Sequence, residues 1–205
     1  MSVQTTQARK EATRDAILDA AFERFTLSGY RRTSMDDIAT AAGISRAAVY
    51  LHFGNKEEIF RTLSELIQER HLREAEAALE LDAPVEERLR RVLQAKLDTF
   101  MEVVGGSPHG AELLDENGRL AGDISQAGLA RMLRILKRLV EDAAERGELA
   151  PERTGLSPAA AAEIALAWTR GVEADASSLT AAACRRRVRS AARMLVAGLG
   201  GEPPR

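Results

Sequence analysis

Apolar residues recur every three or four positions along almost the whole chain, and no run of β-branched residues interrupts them. That spacing builds an apolar stripe on a 3.6-residue period, so helices are the elements available to this sequence. The dominance of Ala, Leu, Arg and Glu favours the same state. Ile17, Leu18, Ala21, Phe22 and Phe25 form the first stripe, with Gly29 as its stop. The expected fold is all-α.

Glycines and prolines divide the pattern into about nine helices. Thr33 and Ser34 precede a second helix whose first turn holds Asp36 and Asp37, an N-cap signal. Gly43 closes it where the turn needs a positive φ. A third helix is expected from about Ser45 to Phe53, and Gly54-Asn55 ends it. A long helix follows from about Lys56 to Leu81. After Pro84, helices are expected over about 85–104, within HGAELLDENG, over about 121–146, from Ser157-Pro158 through about Ser177, and from Thr180 to about Ala197. GLGGEPPR reads as a frayed tail. The organisation is three short helices in residues 1–60, then a larger helical body in 61–205.

Apolar residues make up 45% of the 205, enough for a core. The net charge of −2 excludes a general polycation, but it is unevenly spread. Residues 1–56 carry eight Lys/Arg against six Asp/Glu, and the remainder twenty-one against twenty-five. A local positive bias suits a phosphate-binding surface. The single cysteine, Cys184, cannot form an intrachain disulfide or a multi-cysteine zinc site, which points to a reducing compartment. MSVQTTQARKEATRDAIL has no apolar run before its charges, so no signal peptide is expected. No stretch approaches the roughly 18 apolar residues of a membrane span. The expectation is a cytoplasmic protein with no membrane association and no cofactor.

The stretch from Met35 to Phe53 carries the functional signal. Ile38, Ala42, Ile44 and Val49 are spaced so that two short helices pack on each other, and Ala39 is small at their crossing. This is a helix-turn-helix pattern, whose second helix lies in the DNA major groove with its N-terminal residues at base edges. Arg46 stands at that end and can pair with a guanine in bidentate fashion. Ala47 and Ala48 let the helix lie deep. Ser45 and Thr33 can donate to phosphates near helix N-termini. Tyr50 and His52 suit backbone contacts at the groove edge, and Lys56 suits a phosphate on the far side. With Ser34, the expected DNA-contacting set is Thr33, Ser34, Ser45, Arg46, Ala47, Tyr50, His52 and Lys56.

TSMDDIATAAGISRAAVYLHFGNKEEIF, from Thr33 to Phe60, resembles the DNA-binding domain of TetR-family transcriptional regulators. The shared features are Asp-Ile-Ala before an Ala-Gly turn, the Val-Tyr-x-His-Phe ending and the Lys-Glu start of the next helix. The likeness reaches back through Ala20-Ala21-Phe22, Phe25 and Gly29-Tyr30 to about Arg14. Leu51 departs from it, since the family often has a second aromatic there. The resemblance implies base contacts for Ser45, Arg46 and Ala47, and backbone contacts for Tyr50, His52 and Lys56. It further implies a bacterial homodimer on a palindromic operator, usually a repressor, released when a small molecule binds the C-terminal domain. Pairing of the last two helices, about residues 157–197, would form the dimer, with alanines at 159–162, 165, 167, 174 and 176 permitting close approach. Ile164, Leu166, Leu179, Val188, Leu195 and Val196 would supply its apolar contacts. The effector pocket would lie among residues 85–175, with Phe100, Met101, Val104, His109, Leu113, Met132, Leu136 and Trp168 as candidates. The helix from Lys56 would be the lever between reader and sensor.

Other functions find less support. GGSPHG holds a Ser and a His but is no nucleophile elbow, and neither a phosphate-binding loop nor a dinucleotide fingerprint occurs. The chain is therefore not expected to be an enzyme. His71, His109 and Glu112 have no spacing that demands a metal. Cys184 precedes Arg185, Arg186 and Arg187, whose charge would favour a reactive thiolate. A helical interaction module without DNA would leave Arg46, Tyr50, His52 and Lys56 unexplained.

Overall fold

The computed structural model describes residues 2–174 and 180–201. Its described residues are all-helical: α1 (Ser2–Ser28), α2 (Met35–Ala41), α3 (Arg46–Tyr50), α4 (Lys56–Leu79), α5 (Val85–Phe100), α6 (Gly110–Leu120), α7 (Gly122–Glu145), α8 (Pro158–Ala174) and α9 (Ala181–Gly198). A π-helical turn, Met101–Gly105, extends α5, and a 3-10 turn, Pro151–Thr154, precedes α8. The expected Ser177 end of α8, with Ala176 and Leu179, lies outside the described residues, as does the tail after Gly201.

Two boundaries differ from the sequence expectation. The third helix ends at Tyr50 rather than Phe53, because Leu51 and His52 turn the chain so that Phe53 can enter the core. The helix from Val85 stays α-helical only to Phe100. It widens into the π turn where Gly105, which has no side chain, leaves room for the Met101 thioether.

The chain forms two compact units, Met1–Leu66 with Gly106–Ile124, and Ile67–Gly105 with Ser125–Arg205. In the first, α1 packs on α2, α2 on α3, and α6 on α1. Ile17, Ala21, Phe25, Ile38, Val49, Phe53 and Ile59 are buried there. Phe25, Tyr30 and Phe60 form a ring cluster with centroids 5.1–5.8 Å apart.

The inclusion of α6 in this unit was not anticipated, and polar contacts hold it. Buried Glu116 accepts from Arg31 Nε at 2.8 Å and pairs with Arg119 at 2.7 Å. Glu112 accepts from the Arg31 backbone amide at 2.8 Å. Arg61 grips Asp123 through both terminal nitrogens, at 2.8 and 2.7 Å, which holds that carboxyl down at about 2. Arg61 also donates to the Leu120 carbonyl.

In the second unit α5 packs on α8 and α9. Leu93, Leu97, Met132, Leu136, Leu139, Ala162, Val188 and Val196 belong to one buried cluster. The Arg88 guanidinium is enclosed, pairing with Glu148 and donating to the Ala83 carbonyl at 3.1 Å. Lys96 pairs with Glu173. Cys184 is buried, and burial pushes its thiol above the usual range despite Arg185 and Arg187. The reactive thiolate considered from its neighbours is therefore disfavoured. Among the described residues no helix is long and apolar enough to cross a membrane, and no group of His, Cys, Asp or Glu could hold a metal ion.

Candidate nucleic-acid interface

The turn between α2 and α3 is built by local chemistry. Ser34 caps α2, accepting from the Asp37 amide at 3.2 Å while Asp37 accepts from the Ser34 amide at 2.8 Å, a reciprocal capping box. Gly43 has φ +68°, in the left-handed region, and reverses the chain there. Ser45 then caps α3, accepting from the Ala48 amide at 3.1 Å. Fully buried Ile38 and Val49 pin the inner faces of the two helices. The outer face of α3 follows from that: Ser45, Arg46, Ala47 and Tyr50 are exposed.

Arg46 does not wave freely. Its guanidinium donates to Asp36 Oδ2 at 2.9 Å and to the Tyr50 hydroxyl at 3.4 Å. The guanidinium carbon lies 5.5 Å from the Tyr50 ring centroid. Tyr50 and Asp36 together stabilise its charged form. A small residue at Ala47 and an oriented cation one residue earlier make a surface that can approach base edges.

Three expected contacts are buried or half-buried. Thr33 is buried, and its hydroxyl donates to the Gly29 carbonyl at 2.7 Å, so it serves the turn after α1 instead of facing a phosphate. Lys56 is half-buried at the start of α4. Its ammonium donates to the carbonyls of Tyr30 and Thr33 at 2.7 and 2.6 Å and lies 4.2 Å from the Tyr30 ring centroid. Burial pulls its pKa below the usual lysine value, against Glu116, Glu112 and Asp37. An ammonium has three donors, so one remains for a phosphate. His52 is half-buried, with Nδ1 lacking a partner among the described residues. Leu51, the departure from the family pattern, is 80% exposed beside Tyr50.

The structure does not gather all the effector-pocket candidates into one unit. Phe100, Met101, Val104, Met132, Leu136 and Trp168 belong to the second unit, whereas His109 and Leu113 belong to the first. Met132 and Leu136 are core, and Met101 packs against that core. His109 Nδ1 lies 3.5 Å from Glu112 Oε2. Trp168 lines an open groove of about 880 Å³ on α8 and α9, with Val172, Ala183, Ala191 and Met194. Exposed Ile164 and Met194 lie on the same two helices.

Sequence reasoning missed Asp36 as a partner of Arg46. Its only sequence signal was its place in the first turn of α2, which fits a helix N-terminus equally well.

Comparison with known proteins agrees with this geometry. Residues 17–63 match the family model described as bacterial regulatory proteins, tetR family. The HTH-type transcriptional regulator SrpR of Pseudomonas putida is 32% identical over 152 residues, spanning 70% of this chain and 67% of SrpR. The crystal structure of the TetR-family regulator PfmR from Thermus thermophilus superposes with a TM-score of 0.66 at 28% identity, covering 89% of this chain and 98% of PfmR. SmeT, the repressor of the Stenotrophomonas maltophilia multidrug efflux pump SmeDEF, gives a TM-score of 0.64 at 25% identity, covering 96% of this chain and 99% of SmeT. SmeT is also known as a complex with triclosan.

Proposed function

Because the chain belongs to the TetR family of bacterial transcriptional regulators, we propose that it is a homodimeric repressor that binds a palindromic operator and leaves it when a small molecule occupies the C-terminal domain. The observation that carries the reading is the exposed face of α3, where Arg46 is oriented beside small Ala47 and capping Ser45. Residues 1–60 do the reading. Ser34, Ser45, Tyr50, His52 and Lys56 hold the DNA backbone, and Arg46 and Ala47 meet base edges. Residues 61–205 carry the effector and dimer functions.

A dimer is needed because one helix of this length reads only a few base pairs, and two copies on a palindrome multiply the specificity. The apolar groove on α8 and α9, with Ile164 and Met194 exposed, supports pairing through about residues 157–197. The triclosan complex of SmeT supports an organic small molecule as effector. Its binding must favour a shape in which the two α3 helices no longer fit successive grooves, with α4 as the lever. Such a protein works in the cytoplasm, at the nucleoid.

Fluorescence anisotropy against duplexes tiled across the gene's own promoter tests this, at two salt concentrations. Tight binding to one tile that survives higher salt, with two chains per site, is expected. Equal binding to every tile that vanishes with salt would reduce the interaction to charge attraction.

A further inference from the structure

Asp36 and Asp37 are adjacent acids in the first turn of α2, but they have different partners. Asp37 is committed to the capping box, accepting from both the amide and the hydroxyl of Ser34. Asp36 takes no part in that box and reaches ten residues along the chain to the guanidinium of Arg46. Tyr50 braces the same guanidinium through its hydroxyl and its ring. Arg46 is thus held by two helices of the motif, although both Arg46 and Asp36 are more than half exposed.

We propose that Asp36 is a specificity-determining positioning residue, whose carboxylate holds Arg46 in the orientation that reads guanine and keeps it from relocating to a phosphate. The proposal rests on the assignment of Arg46 as a base reader. Of the five N–H donors on a guanidinium, Asp36 and Tyr50 engage two and leave three. Guanine O6 and N7 need two, so reading and bracing are compatible. An untied arginine facing a wrong base can swing to a nearby phosphate and lose little. A tied one stays against the adenine amino group or the thymine methyl, which raises the penalty for the wrong base. The carboxylate also repels phosphates, so it weakens binding to random DNA while leaving the correct site favoured. Asp36 therefore acts on the ratio between sites more than on affinity.

The test uses the full chain as wild type, Asp36→Asn, Asp36→Glu, Arg46→Ala and the Asp36→Asn/Arg46→Ala double variant. Each selects from a randomised duplex pool, and anisotropy titrations then measure the selected and single-base-changed duplexes. Arg46→Ala is expected to flatten the preference at one guanine per half-site. Asp36→Asn should relax that same position by about three- to fivefold and hold or strengthen binding to random duplex. Asp36→Glu should keep the preference to within about twofold, since it restores the carboxylate. In the Arg46→Ala background Asp36→Asn should relax nothing further. A general loss of helix stability would weaken every sequence alike, so the position of the effect separates the two explanations.

Unchanged base preference in Asp36→Asn, or equal relaxation with and without Arg46, overturns the role of Asp36 and leaves Arg46 as reader. If Arg46→Ala retains the wild-type motif, or wild type selects none, the reading assignment itself has failed and this inference falls with it.

Discussion

His71 on α4 is 8% exposed, and its pKa is pushed down to about 4 from an ordinary 6.5. Burial is the main cause, with the charge of Lys96 next and Arg70 smaller. The folded chain therefore refuses a proton that the unfolded chain accepts. A base with a depressed folded pKa contributes its full stability above the unfolded value, and that contribution is lost as pH falls from about 6.5 towards 4. The complete shift corresponds to roughly 3 kcal/mol. Integration between pH 7 and pH 5 leaves a loss of about 2 kcal/mol from this residue. Urea unfolding of wild type and His71→Leu at half-unit pH steps isolates the effect, because the carboxylates are common to both proteins. The leucine variant should match or exceed wild type at pH 7 and pull ahead by about 2 kcal/mol at pH 5. Parallel stability curves across that window would refute the reasoning, as would an imidazole that titrates near 6.5 by NMR in the folded protein.

Four further outcomes follow from the first unit. Arg46→Ala should weaken operator binding by about 1–3 kcal/mol and relax one base position, read by anisotropy on matched and mismatched duplexes. Lys56→Met removes two charge-assisted bonds to the Tyr30 and Thr33 carbonyls. It should lower stability by about 2 kcal/mol in denaturant titration and flatten the salt dependence of DNA binding by about one unit; a flattened slope without lost stability would deny Lys56 its structural role. Gly43→Ala meets only backbone strain at φ +68°, with open space around its new methyl, and should cost about 1 kcal/mol. Gly29→Ala has φ +85° and sets the methyl 2.5 Å from Glu112 Oε2, the carboxylate that receives the Arg31 amide. It should cost about 2 kcal/mol or more in the same unfolding assay.

The helices, their caps and the reading turn were legible in the sequence because each depends on residues within a few positions of one another. Ser34 finds Asp37 three residues on, and Gly43 marks a backbone angle that other residues avoid. The apolar period places Ile38, Val49 and Phe53 inside, and that placement leaves Arg46, Ala47 and Tyr50 on the outer face. Tertiary structure alone decided what happens to polar groups whose partners are distant in the chain. Thr33 turns inward to Gly29, Lys56 is spent largely on carbonyls twenty-three and twenty-six residues back, and Asp36 claims Arg46. Glu116, read as one acid among many on a short helix, is a buried anchor that ties α6 to Arg31 across eighty-five residues. A charged or hydroxyl side chain looks alike in sequence whether it faces water, a phosphate or a carbonyl. Only the packing of apolar faces brings a second polar group within hydrogen-bond reach, and that geometry chooses among the three.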